Sequence, residues 1–232
     1  MNKGAQIYEG PGRRVFRTDD PNLLIYEFLD GAVTYDGEEA AAAPSKPERR
    51  LKISAILFNL LESNGLITHF AGVSGAREMK ISATKHFPVV TICRNVAAGR
   101  FAERLGVPEG ETLPMPVVEF NLDKHPLRTH PAGEVITELS EGDVKIMQSK
   151  AITANKILKR FFRDKGLTLS DFGVEFGRDS DGRTRICGAL TPDTCRLWRS
   201  DEFEKIDRDR FRRALRGTEA DYIDVLNRIS PG

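Results

Sequence analysis

The chain has 232 residues, with 35 Lys plus Arg against 34 Asp plus Glu and a formal net charge of +1. A balance this close leaves no overall field to draw in nucleic acid or an acidic membrane, so any anion site has to be a local cluster. With 40% hydrophobic and 30% charged residues, the composition is that of an ordinary globular protein, long enough for one large domain or two small interlocked ones.

The first residues, MNKGAQIYEGPGRR, contain no apolar stretch of the kind a secretion signal needs. The densest apolar run, Ile53 to Leu61, is broken by Ser54 and Asn59 and is far too short to span a bilayer. Cys93, Cys187 and Cys195 are odd in number and lack zinc-ligand spacing, which points to free structural thiols in a reducing cytoplasm.

In chain order, short strands around one helix are expected over the first ninety residues. Asn22 to Phe28 reads as a strand after the turn signal Asp19-Asp20-Pro21. Ala40 to Pro47 is small-residue and proline-rich, the composition of a loop. Ser45 and Glu48 then have capping-box spacing, with Pro47 in the first turn. Leu51, Ile56, Leu57, Leu60 and Leu61 give one apolar face, and Gly65 a stop. Val89 to Cys93 reads as a buried strand bounded by Pro88, and Ala97 to Leu105 as a short helix closed by Gly106. Residues 121–134, with two prolines, form a long loop without periodicity.

Asp143 to Lys165 is the longest predicted helix, roughly 34 Å at 1.5 Å per residue. Val144, Met147, Ala151, Ala154, Leu158, Phe161 and Phe162 form its stripe, Ser140 its cap and Gly166 its terminator. Leu169 to Phe176 and Thr184 to Ala189 read as a hairpin across the turn-forming run Arg178 to Arg183. A last helix begins near Thr218 and carries Tyr222, Val225, Leu226 and Ile229. Strands first and long helices later, with little alternation, predict an α+β fold.

Several side chains bear on chemistry. Arg94 follows a buried strand and precedes the helix expected from Ala97, where a guanidinium and free helical N–H groups can share a phosphate; the alternative is a pair with a nearby carboxylate. Arg196, in the polar turn Thr191 to Trp198, is a second phosphate ligand or another structural arginine. Asp171 and Glu175 share a strand face and are the best carboxylate pair for acid–base work; on an edge strand they are surface residues. The run Arg208 to Arg213 is read as a solvated helix face. His125 and His130 lack a third ligand, so no metal is expected there. His69 and His86, beside Phe70 and Phe87, are read as packed. Gly10-Pro11-Gly12 lacks the spacing of either glycine-rich phosphate motif.

Eight collinear segments together resemble the SAICAR synthetase family over nearly the whole chain: TDDPNLLIYEF, THF, REM, CRNVAAG, RLGVPEGETLPMPVVEF, DFGVEFGRD, TPDTCRLW and DRDRFRRAL. The resemblance implies an α+β fold with a smaller antiparallel-sheet lobe, here residues 1–84, against a larger lobe, 85–232, and nucleotides in the cleft between them. It implies a ligase that uses ATP and Mg²⁺ to activate a ribotide carboxylate as an acyl phosphate for attack by aspartate. It carries Arg94, Asp193 and Arg196 over as contacts to the ribose-5-phosphate part of the substrate.

The chain departs from the family pattern at defined positions. The motif EGKxKxVY stands as Glu9 to Phe16, with Pro11 and Arg13 in place of two lysines. A family glutamate is Val90, the lysine of DxKxEFG is Gly173, and an acidic pair before the SPD turn is Gly188-Ala189. Asparagines ahead of the first long helix align with Arg50 and Leu51, an acidic loop is shortened to Lys124 to His130, and a phosphate-side serine is Arg100. Arg100 supplies a bidentate cation in place of a hydroxyl.

These departures lead to the expectation of an ATP-independent enzyme. It would act on a phosphoribosyl aminoimidazole or purine-type ribonucleotide, by ring closure or carbon–carbon bond formation in a coformycin- or pentostatin-type nucleoside pathway. Arg94, Arg100, Asp193 and Arg196 would bind phosphate and ribose, and Asp171 and Glu175 would be catalytic. No cofactor, metal, nucleic acid or membrane partner is expected, and a homodimer is left open. The alternatives are the ATP-dependent SAICAR synthetase itself and a non-catalytic nucleotide-binding protein.

Overall fold

The computed structural model describes residues 2–10, 12–30, 46–122, 139–200 and 219–230. Short apolar segments separated by turns build a first five-stranded sheet from β1 (Lys3–Gly10), β2 (Arg13–Thr18), β3 (Leu23–Phe28), β4 (Phe70–Val73) and β5 (Glu78–Ser82), in the order β1-β2-β3-β5-β4. All its pairings are antiparallel.

The second sheet comprises β6 (Lys85–Val96), β7 (Thr112–Leu122), β8 (Leu167–Arg178), β9 (Thr184–Cys187) and β10 (Cys195–Arg199). Its order is β10-β8-β6-β7, with β9 also paired to β8, again antiparallel throughout. A parallel bridge between Thr68 and Ile186 ties the two sheets together. The four helices of the described residues are α1 (Lys46–Ser63), α2 (Arg100–Leu105), α3 (Glu141–Arg163) and α4 (Glu219–Ile229). This is the α+β arrangement the sequence predicts.

The helical periodicities hold with local corrections. In α3 the Ser140 side chain accepts from the Asp143 N–H, and Asp143 reciprocates, a complete capping box. Met147, Ala151, Ala154, Leu158 and Phe162 are buried along one stripe. In α1 the core face is carried by Leu51, Ile53, Leu57, Phe58 and Leu61; Ile56 and Leu60 are only partly buried. The predicted stripe was thus rotated, because α1 packs against α3, α4 and the first sheet and buries more than one narrow face. Its predicted cap, Ser45, lies outside the described residues.

Pro88 does not bound a strand. It sits inside β6, where the register with β8 shifts between His86 and Val90, and such irregularities accommodate a residue that lacks an N–H. The strand β10 was not expected from the TPDTCRLW turn. The predicted loop at 121–134 begins inside β7 and otherwise falls outside the described residues, with His125, His130 and Arg208 to Arg213. No helix among the described residues is long and apolar enough to cross a membrane.

Candidate functional site

Strand register builds a charged row on one face of the second sheet. Arg94 on β6 lies directly opposite Asp171 on β8, and Asp171 directly opposite Arg196 on β10. Directly paired residues share a face, so the carboxylate stands between the two guanidinium groups. Asp171 is fully buried. Its Oδ2 lies 4.0 Å from Arg94 Nη1 and 3.7 Å from Arg196 Nη1, and it accepts from Ser170 Oγ at 2.9 Å.

Arg94 is held from further sides. Its Nε donates to Glu119 on β7 at 2.5 Å, and its guanidinium lies 4.7 Å from the Phe101 ring centroid. Glu119 also pairs with Arg104, whose guanidinium lies 5.2 Å from the same ring.

Arg196 reaches the start of α2. A Cβ on Gly99 would stand 3.2 Å from Arg196 Nη1, and Gly99 has φ +53°, so a side chain there would be both strained and crowded. Arg100, next in sequence, is exposed in the first turn. The helix expected from Ala97 therefore starts three residues later. The Ala97 N–H donates to Glu111 O at 2.8 Å, and the Gly99 N–H to the Glu109 carboxylate at 3.1 Å. These two amides, at the start of the helix expected from sequence, have protein acceptors. The structure brings Arg94, Asp171, Arg196 and Gly99 together, and Arg100 follows Gly99 as an exposed residue.

Two residues of the resembling segments, Asn95 and Asp193, sit elsewhere. Asn95, adjacent to Arg94 on a strand, points to the opposite face; it exchanges amide hydrogen bonds with Asn155 of α3 and donates to Leu169 O at 3.2 Å. Asp193, which the resemblance implies as a ribose-phosphate contact, is engaged by side chains of the protein itself. Its side chain is fully buried, 3.1 Å from Lys46 Nζ and 3.4 Å from Arg50 Nε, and it accepts from Tyr222 Oη at 2.6 Å. Those partners come from α1 and α4, and the carboxylate joins the two helices.

Glu175 belongs to a second cluster on the same strand face as Asp171. Arg13 Nη1, from β2 of the first sheet, donates to its Oε1 at 2.8 Å, and His86 Nδ1 lies 3.5 Å from its Oε2. Burial would push the carboxyl up, but Arg13 and His86 outweigh it and hold Glu175 well below the usual carboxylate range. Glu175, expected as an acid–base residue, is thus paired within the fold with Arg13 and His86. The Arg13 guanidinium also faces the Tyr8 and Tyr26 rings, at 5.3 and 5.9 Å.

The substituted positions gather around this cluster. Val90 pairs with Glu175, and Gly173 with Ile92. Gly188 has φ +84°, and a Cβ there would lie 3.3 Å from Glu175 Cδ. Its carbonyl contacts His69 Nε2 at 3.0 Å. Burial lowers the His69 pKa to about 3, so the ring is neutral and Nε2 carries the donated proton. Arg50, where the resemblance implies an asparagine, donates to Gly12 O at 3.1 Å and Leu29 O at 3.0 Å. The roles of Arg13, Arg50, Phe101 and Glu119 were not anticipated from sequence; the two lysine and asparagine substitutions were the signal for the first pair, and nothing local marked the second.

The chain is thus a two-sheet α+β protein with two guanidinium groups about the buried Asp171 carboxylate on one sheet face. The family model described as SAICAR synthetase matches residues 6–229, and the chain belongs to the SAICAR synthetase family. It is 36% identical over 233 residues to the phosphoribosylaminoimidazole-succinocarboxamide synthase of Brevibacillus brevis, covering 99% of this chain and 98% of that one. The Campylobacter concisus synthase is 38% identical over 234 residues, covering 99% of each. Among solved structures, a SAICAR synthetase in complex with ADP superposes with a TM-score of 0.79 at 31% identity, over 96% of this chain and 97% of that chain. The Ehrlichia chaffeensis synthase gives 0.82 at 28% identity, over 98% and 100%.

Proposed function

We propose that the chain is an ATP-dependent ligase that joins the carboxylate of an aminoimidazole ribotide to the amine of aspartate, the reaction the family implies. Arg94 and Arg196, with Arg100 beside them, receive the 5′-phosphate of the ribotide. The Arg94–Asp171–Arg196 row carries this reading, because two neighbouring guanidinium groups match a phosphate monoester. Similarity to synthases along the whole chain supports it. In such a reaction a carboxylate oxygen attacks the γ-phosphorus and ADP leaves. The aspartate nitrogen then attacks the acyl carbon, phosphate departs, and the amine loses a proton. Residues 1–84 and 85–232 are the proposed lobes, one to each sheet.

Chemistry of this kind draws on a divalent cation to offset charge on the transferred phosphoryl group. Among the described residues no three of His, Cys, Asp and Glu gather to hold one, and Glu175 is engaged by Arg13 and His86. A Mg²⁺ that accompanies a nucleotide is held largely by substrate phosphates, water and one or two carboxylates, so a three-residue cluster is not required of the site.

That cluster favours a second reading, in which the same class of ribotide is transformed without ATP. Arg13 bound to Glu175, together with Gly173 and Gly188, leaves cationic and side-chain-free positions where the family resemblance places lysine and acidic groups. The matched relatives are synthases of the SAICAR family, and the expectation of a coformycin- or pentostatin-type nucleoside pathway is not carried forward.

The test supplies carboxyaminoimidazole ribotide, aspartate, ATP and Mg²⁺, and follows ADP and the succinocarboxamide product. Coupled turnover on the order of 1 s⁻¹ supports the ligase. Consumption of ribotide without ADP overturns it in favour of the second reading. No consumption of either overturns both.

A further inference from the structure

We propose that Phe101 and Glu119 are positioning residues that lock the Arg94 guanidinium in one plane and thereby set the affinity of the row for a phosphate monoester. The inference rests on the reading that this row receives the ribotide phosphate. Arg94 is 8% exposed, and three elements fix it. The Phe101 ring of α2 covers one face of the guanidinium, with the centroid 4.7 Å away. Glu119 of β7 takes Nε at 2.5 Å, and Asp171 of β8 faces Nη1 at 4.0 Å. Register explains why Glu119 can reach: it pairs with Ile92, two residues before Arg94 on the same strand face, so the two are diagonal neighbours.

An arginine side chain that is free to rotate loses conformational entropy when it grips a ligand, and pre-ordering removes that cost. Glu119 does not act on Arg94 alone. It also pairs with Arg104, which covers the same Phe101 ring. The ring, two guanidinium groups and one carboxylate therefore form a closed unit behind the phosphate seat.

The sign of the effect separates this idea from simple charge summation. Glu119→Gln removes a negative charge near an anion site, which by Coulomb's law alone tightens anion binding. A positioning role predicts the reverse. Phe101→Leu leaves every charge in place and removes only the stacked face, and Phe101→Tyr restores an aromatic face.

Calorimetry with ribose 5-phosphate, and with ribose as the unphosphorylated control, reads the effect without relying on turnover. Affinity for ribose 5-phosphate is expected to fall about 10-fold in Glu119→Gln and in Phe101→Leu, the scale of one charge-assisted hydrogen bond, and to be retained in Phe101→Tyr. Binding lost in Arg94→Ala but unchanged or tighter in both Glu119→Gln and Phe101→Leu overturns this inference alone. Wild-type protein that does not bind ribose 5-phosphate, or binds it equally well as Arg94→Ala, overturns the phosphate reading and the inference with it.

Discussion

Arg13 and Glu175 form an ion pair 2.8 Å long between strands of different sheets. The pair is a tie between the two halves of the molecule and a reason for the low proton affinity of Glu175. Burial opposes the charge on Arg13, yet Glu175 and the two tyrosines beside it raise its pKa well above the ordinary value. Replacing Arg13 by Ala removes the main partner of that carboxylate and is expected to cost about 2 kcal/mol of stability. Urea denaturation at neutral pH measures it, and an unchanged midpoint would show the tie to be dispensable.

Acid should weaken the fold in two stages. His69 in the folded protein has its pKa depressed to about 3, below an unfolded value of about 6.5. The unfolded chain therefore takes up the proton first, and stability declines as pH falls from about 6.5 toward 3. Glu175 is also depressed in the folded state, so its contribution is present above the ordinary carboxylate range and is lost below it. Thermal melts at stepped pH should show the first decline flattened in His69→Gln. An identical decline in that variant would remove His69 from the account.

Asp193 is expected to behave as a structural residue. Asp193→Ala takes the carboxylate from a buried cluster with Lys46, Arg50 and Tyr222. Breaking a buried ion pair from one side typically costs about 3–5 kcal/mol. The measurement is equilibrium unfolding of the variant. A loss below about 1 kcal/mol, within the range of a surface pair, would contradict this role.

Neighbours in sequence should differ in function. Arg94→Ala is expected to lose about 1.5–3 kcal/mol of ribose 5-phosphate affinity, the value of a hydrogen bond to a charged group. Asn95→Ala should leave that affinity within two-fold, about 0.4 kcal/mol by the usual conversion, while lowering thermal stability. Titration of both variants against the same ligand distinguishes them. Equal losses would mean that the face assignment is wrong.

The three cysteines are buried, and burial pushes each thiol up to about 12. Thiolate is the reactive form, so a thiol reagent at pH 8 should label all three only after denaturant is added. Rapid labelling of native protein would show that one of them is reachable.

Local pattern determined a good deal. The cap at Ser140, the α3 stripe ending in Phe162, the α4 positions Tyr222, Val225 and Ile229, and the turn between β8 and β9 follow from spacing and turn chemistry within a few residues. The resemblance drew attention to Arg94, Asp193 and Arg196, and a shared strand face to Asp171 and Glu175, whereas spacing alone left each with an ordinary structural reading. Tertiary structure decided which charges meet. Asp193 finds its partners at Lys46, Arg50 and Tyr222, and Glu175 finds Arg13 from the other sheet. A charge pair is a matter of a few ångströms in space, and no periodicity along the chain records it. Pairing across β6, β8 and β10 turned three distant residues into one row, and strand alternation sent Asn95 to the other face of the same sheet.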